Sequence, residues 1–252
     1  MTDKLIEVNN LSKVYTQGKV QVHALRGVEL SFARGDFAAL AGPSGSGKST
    51  LLNLIGCLDR PSSGSISIDG RVLGAMGKSE SARFRLAKVG FIFQAYNLIP
   101  VLSAYENAEF TLYLQGVPAA QRRARVIPLM ERVGLAELMH RKPHEMSGGQ
   151  QQRVAVVRAI ASMPAVVLAD EPTANLDSES AQGLLDLLAE LNVEHGISLI
   201  LASHDPLVLR GVRRVIRLRD GQVLKDGHLD SDHWEYAGES ATERAKAEPG
   251  LS

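Results

Sequence analysis

The order of apolar and polar positions predicts strands first, then helices, then strands and helices in alternation. Leu5-Ile6-Glu7-Val8 reads as a short strand, and Val28-Glu29-Leu30-Ser31-Phe32 alternates with period two, as a half-buried strand does. After an Arg34-Gly35-Asp36 turn, Phe37–Ala41 is an unbroken apolar run, the pattern of a strand buried on both faces. Residues 49–57 look helical and are broken at Pro61-Ser62-Ser63-Gly64. Helical spacing dominates between about Tyr96 and Ala161, where residues 119–133 and 150–162 each carry an apolar stripe. A second buried strand over 165–169, a helix over 178–194 and a strand over 197–202 follow. Residues 214–218 and 222–225 flank Asp220-Gly221 as a hairpin.

Strands alternating with helices predict an α/β fold with a mainly parallel sheet. The helix-rich stretch at about 96–161 reads as an inserted helical subdomain within a domain spanning 5–227. From 228 to 252 the chain is polar, with Glu248-Pro249-Gly250 near its end, and reads as a flexible tail.

Composition narrows the function classes. Apolar residues make up 44% of 252, enough for a substantial core. The 28 basic residues balance 28 acidic ones, so net charge offers no electrostatic case for a nucleic-acid partner. Cys57 is the only cysteine, which excludes an intrachain disulfide and points to a reducing compartment. No run of 18 apolar residues occurs, so any membrane spans are expected from another chain.

The chemistry begins at Gly42-Pro43-Ser44-Gly45-Ser46-Gly47-Lys48-Ser49, which matches G-x-x-x-x-G-K-[ST] between a buried strand and a helix. Glycines let backbone N–H groups wrap phosphate oxygens, and the helix N-terminus adds fixed positive potential. Lys48 reaches the β- and γ-phosphates, the Ser49 hydroxyl is placed for Mg²⁺, and Thr50 completes the nucleotide-contacting run. Alone, this loop does not separate ATPases from GTPases or kinase-type proteins. Val166–Asp170 is a buried strand ending in carboxylates, so Asp170 can hold Mg²⁺ through water. Glu171 points elsewhere by period two and is assigned to polarise the attacking water. Without the phosphate loop the pair would read as two solvated acids before Pro172.

A second anion-type element, Ser147-Gly148-Gly149-Gln150, precedes a helix that Ser147 can cap. Read alone, it fits an ordinary glycine-containing cap better. One ATP rarely needs two such sites in one chain, whereas two head-to-tail chains would use both.

Here the sequence resembles the ABC-type ATPases. Ser147-Gly148-Gly149-Gln150 looks like their signature motif, Tyr15 like the adenine-stacking aromatic, and Gln94 in Phe91-Ile92-Phe93-Gln94 like the Q-loop glutamine. Ala174-Asn175-Leu176-Asp177 resembles the D-loop, and His204 in Ala202-Ser203-His204-Asp205 the H-loop histidine. The likeness runs from about Leu5 to Gly227, and its motifs stand in order. It implies a nucleotide-hydrolysing core with an antiparallel β-subdomain and an inserted helical subdomain, with ATP and Mg²⁺ as cofactors. It also implies that Gln94 touches the metal or the lytic water, His204 orients attack at the γ-phosphate, and Asp177 communicates across a homodimer. Cys57 and the other six histidines, His23 among them, are read as structural or surface residues.

Residues 51–61, 93–100 and 168–177 are similar to lipoprotein-release (LolD-like) and MacB-like ATPases. That likeness implies a motor peripheral to the cytoplasmic face of the inner or plasma membrane, driving integral membrane permease subunits on separate chains. Departures such as Ala174, Ser103 and Gln151-Gln152 leave the cargo open. Two other uses of such a motor stay open as well: regulating a cell-envelope enzyme, or soluble work without transport.

Overall fold

The computed structural model describes residues 4–18 and 20–228, so the polar tail assigned to 228–252 lies, beyond His228, outside the described residues. Two sheets form. Strands β1 (Lys4–Gln17), β2 (Val20–Ala33), β4 (Ser63–Ile68) and β5 (Arg71–Val72) make an antiparallel sheet in the order β2-β1-β4-β5. The larger sheet runs β10-β9-β3-β8-β7-β6, from β3 (Phe37–Ala41), β6 (Val89–Phe93), β7 (Val166–Asp170), β8 (Ser198–Ala202), β9 (Arg214–Arg219) and β10 (Gln222–His228). Its pairings are parallel except for the β9–β10 hairpin.

The strands expected at 5–8 and 28–32 are much longer than their patterns suggest. Four register shifts interrupt the β1–β2 ladder, among them Val8/Leu11 and Leu11/Lys13, and Asn10 turns left-handed at φ 45°. Each shift moves the side chains to the other face, which breaks the period-two signal while pairing continues.

Among the described residues, seven α-helices cover the sheets: α1 (Lys48–Ile55), α2 (Lys78–Lys88), α3 (Ala104–Leu114), α4 (Ala119–Arg132), α5 (Gly148–Ile160), α6 (Ser178–His195) and α7 (Pro206–Gly211). Helix α1 buries Leu51, Leu52, Leu54 and Ile55 between the two sheets, in a core shared with Leu5, Phe32, Ile66 and Ile200. At about 1.5–3 kcal/mol per buried apolar side chain, this face outweighs the marginal stability of an isolated two-turn helix. On the opposite face of the large sheet, α5, α6 and α7 pack Val156, Leu184, Leu188 and Val208 onto Leu199 and Leu201. Helices α3, α4 and α5 enclose a third cluster around Ala108, Leu112, Met130 and Val154. Pro128 sits inside α4 without ending it.

The order of the parallel strands positions the chemistry. In register, Leu40 of β3 and Asp170 of β7 both pair with Ala202 of β8, and Phe93 of β6 pairs with Asp170. The C-terminal ends of four adjacent strands therefore deliver the phosphate loop, His204, Asp170-Glu171 and Gln94 to one edge, where open parallel sheets bind ligands.

Candidate functional site: a nucleotide cleft

At that edge a cavity of about 610 Å³ is lined by Tyr15, residues 43–50, Gln94, Glu171, Ala174 and His204, with Val22, His23 and Ala24 from the β1–β2 sheet. Residues of the phosphate loop, Glu171, Gln94 and His204 thus share one cleft. His23, read from sequence as a surface or structural residue, is exposed on β2, and its side of the hairpin contributes to the cleft wall. Nothing local in sequence marks it.

The phosphate loop is built for close backbone approach. Gly42 lies at φ 151°, and a Cβ there would come within 2.2 Å of the Leu218 carbonyl oxygen and 2.8 Å of Ser46 Oγ. The Lys48 side chain is buried and folds back, its Nζ donating to the Gly42 carbonyl at 2.7 Å and the Pro43 carbonyl at 3.1 Å. These carbonyls hold the ammonium over the loop, where it can exchange them for phosphate oxygens. Ser46 Oγ is buried and meets no protein partner among the described residues. The loop does not stand alone: Gly221 in the β9–β10 turn donates its N–H to the Ser46 carbonyl at 3.1 Å and accepts from Arg26 N–H at 2.8 Å. The predicted hairpin around Asp220-Gly221 is present, and this bracing contact was not legible in its sequence.

Asp170 accepts a hydrogen bond from Ser49 Oγ at 3.0 Å. Burial pushes the Asp170 carboxyl above its ordinary range, helped by the charge of Glu171 and opposed by the Ser49 bond and Lys48. A carboxylate and a hydroxyl side by side fit a hard divalent cation with oxygen ligands. Glu171 is separately held. Its φ of 45° is left-handed, its N–H donates to the Ala202 carbonyl at 2.9 Å, and its carboxylate accepts from Ser203 Oγ at 3.0 Å. Its other oxygen lies 2.9 Å from His204 Nδ1. The two adjacent acids therefore have different partners, because Asp170 ends β7 while Glu171 lies just past it in a left-handed turn.

Tyr15 donates to Asp59 Oδ2 at 2.9 Å, and Lys13 Nζ lies 4.7 Å from its ring centroid while bonding the same carboxylate. Burial, then the Asp59 contacts, push the Tyr15 hydroxyl up, so it stays protonated. Gln94 follows β6, and its carbonyl accepts from Asn175 Nδ2 at 2.9 Å, which joins the glutamine loop to the segment leading to Asp177.

Ser147, Gly148, Gly149, Gln150 and Asp177 are not among the cavity's lining residues. Ser147 caps α5 in a reciprocal box: its Oγ accepts from Gln150 N–H at 3.3 Å, and Gln150 Oε1 accepts from Ser147 N–H at 3.0 Å. Gly148 lies close against a neighbour: a Cβ there would come within 2.7 Å of Tyr96 Oη, so the tyrosine would have to shift. Asp177 caps α6 through Ser180 N–H at 2.8 Å, and that bond, with the Ser180 hydroxyl, holds its carboxyl below the usual range.

A glycine loop, a buried lysine and a split acid pair at the edge of a parallel sheet define the nucleotide-hydrolysing phosphate-loop class. Residues 25–174 match the ABC transporter family. An ABC transporter ATP-binding protein of Thermotoga maritima is 44% identical over 87% of this chain and 94% of its own length. The macrolide export ATP-binding/permease protein MacB of Hyphomonas neptunium is 44% identical over 100% of this chain, which spans 38% of that larger protein. Among solved structures, the dimeric post-hydrolysis state of the cassette MJ0796 of Methanocaldococcus jannaschii, bound to ADP and Pi, superimposes with a TM-score of 0.83. It is 40% identical, covering 90% of this chain and 99% of that one. The chain belongs to the ABC transporter ATP-binding family. It is an ATPase and the ATP-binding subunit of a transporter, on the phosphate-loop α/β fold that its motifs predict.

Proposed function

We propose that two copies of this chain close head to tail on two ATP molecules and drive a membrane permease of the MacB-like type. The observation that carries this reading is the division of the site. One cleft gathers the phosphate loop, Glu171 and His204, while the capped N-terminus of α5 stands outside it with its glycine backbone free of Cβ cover. A helix N-terminus with Ser147, Gly148 and Gly149 suits an anion brought by a second copy. The dimeric MJ0796 cassette supports the pairing. The 44% identity to a protein named as a macrolide export ATP-binding/permease protein supports a permease of that type.

In this reading Ser49, Asp170 and Gln94 hold Mg²⁺, which when bound neutralises charge on the β- and γ-phosphate oxygens. Tyr15 and the adjoining wall take the base, and backbone N–H groups of residues 43–50 bind the phosphates. Lys48 gives up its loop carbonyls for phosphate oxygens. Glu171 orients a water and draws off its proton, held in aim by Ser203 and His204. His204 then has a second nitrogen free for the γ-phosphate. Asp177 and the Ser147 cap report occupancy from one copy to the other.

Glu171→Gln tests the pairing and the base role together. It should keep ATP affinity, lower turnover by about 10²–10³-fold and elute as a dimer only with ATP. Parent-level turnover would remove Glu171 as the base, and a monomer under saturating ATP would remove the shared site.

A further inference from the structure

Three consecutive glutamines open α5, and each does something different. Gln150 closes the Ser147 capping box, and Gln151 Nε2 donates to the Met146 carbonyl at 3.1 Å. Gln152 turns into the protein, is 0% exposed, and donates Nε2 to the Pro172 carbonyl at 2.8 Å. Its Oε1 is buried and meets no protein donor among the described residues. A buried amide with an unanswered oxygen is a costly core residue, and an apolar side chain of equal length would avoid the penalty. What the amide supplies instead is the bond from its nitrogen.

That bond falls next to the catalytic carboxylate. Pro172 follows Glu171, and proline has no N–H, so its carbonyl is the only hydrogen-bonding handle on that residue's backbone. The turn it belongs to is already held from the β8 side by the Glu171 N–H bond to Ala202 and the Ser203 hydroxyl. It is closed on itself by Ala174 N–H to the Glu171 carbonyl at 3.3 Å. Glu171 keeps a left-handed φ of 45° there, a backbone state that a non-glycine residue holds only when its surroundings insist on it. Gln152 is the anchor on the α5 side, about one and a half helical turns from the Ser147 cap.

We propose that Gln152 is a positioning residue for Glu171, fixing the Pro172 peptide and so coupling the aim of the carboxylate to the helix whose N-terminus carries Ser147-Gly148-Gly149. The inference rests on the reading of Glu171 as the base. When a phosphate engages the α5 N-terminus, any shift of the helix passes through Gln152 to the turn bearing the carboxylate of the same chain. The two nucleotide sites of a pair are then linked through helix α5.

The test is a double-mutant cycle in the full chain, read as Mg·ATP turnover. Gln152→Met keeps length and apolar stem while deleting the amide. In the parent it should lower kcat by about 10- to 100-fold with KM within about twofold. In the Glu171→Gln background, where no base remains to be aimed, it should lower residual turnover by less than about twofold. Equal losses in both backgrounds, an ATP affinity that falls in step with kcat, or unchanged turnover would each overturn the proposal. Gln152→Leu is the second variant, with circular dichroism as the check on folding. If neither variant accumulates folded, Gln152 is a structural core residue and the proposal fails. Parent-level turnover by Glu171→Gln alone would instead sink the base assignment, which separates the two failures.

Discussion

Arg158 offers a quantitative test of how the glutamine loop is held. From α5 its guanidinium donates to the Asn97 carbonyl at 2.6 Å and to the Tyr96 carbonyl at 2.8 Å. Both residues are left-handed, Tyr96 at φ 59° and Asn97 at φ 49°, just beyond Gln94. A left-handed tyrosine costs roughly 1–2 kcal/mol, and an asparagine less. Two hydrogen bonds from a charged donor contribute about 1.5–3 kcal/mol each, together about 3–6 kcal/mol, which exceeds the strain. Arg158→Met preserves the apolar stem and deletes both donors. Because the freed carbonyls sit near the surface and regain water, the net loss should be about 2–4 kcal/mol, or roughly 5–15 °C in melting temperature for a domain of this size. Arg158→Lys, with one compact donor in place of a fork, should recover at most about half. Differential scanning calorimetry gives the shift, and hydrogen exchange at residues 95–98 locates it. A melting temperature within about 1 °C of the parent, with unchanged exchange at those residues, would refute the account.

Two further expectations concern charge. Burial raises the Asp170 pKa, so its ionised form is penalised in the folded state and its cost to stability grows as pH rises through that pKa. Asp170→Asn should therefore melt higher than the parent near pH 7 without nucleotide, yet gain less from added Mg·ATP; a lower melting point without nucleotide would contradict the sign. Asp69 is the opposite case: the Lys88 hydrogen bond, with Arg34 assisting against burial, holds its carboxyl below the ordinary range. Its contribution is present above the unfolded pKa and is lost as pH falls through the lower folded one. Asp69→Asn should accordingly cost stability at pH 7 and converge on the parent in acid unfolding curves; a gap that stays constant with pH would exclude the ion pairs as its source.

Much of the fold was legible because burial on both faces leaves an unbroken apolar run, as in Phe37–Ala41 of β3 and residues 166–169 of β7, all of them buried. The loops were legible because phosphate and metal chemistry demands particular residues at particular spacings. Helix α2 was not anticipated because it buries only Phe84 and carries no apolar stripe. Long β1 and β2 were underread because register shifts scramble alternation. The Gly221 brace and the Gln152 bond escaped notice for a common reason: both exist only through contacts with residues distant in sequence. Gln152 even looked like a departure without chemical meaning, since a buried amide and a surface amide are spelled alike.

The bracing of the phosphate loop by the β9–β10 turn bears on how the protein is made. The loop is contiguous in sequence, yet its Ser46 carbonyl is held by Gly221 and its Gly42 is pressed against Leu218. A chain emerging from the ribosome has synthesised the whole glycine motif long before the strands that shape it. Nucleotide competence therefore arrives late, with the final hairpin, rather than with the motif itself. A fragment ending before β9 would carry every residue of the loop and lack the cradle.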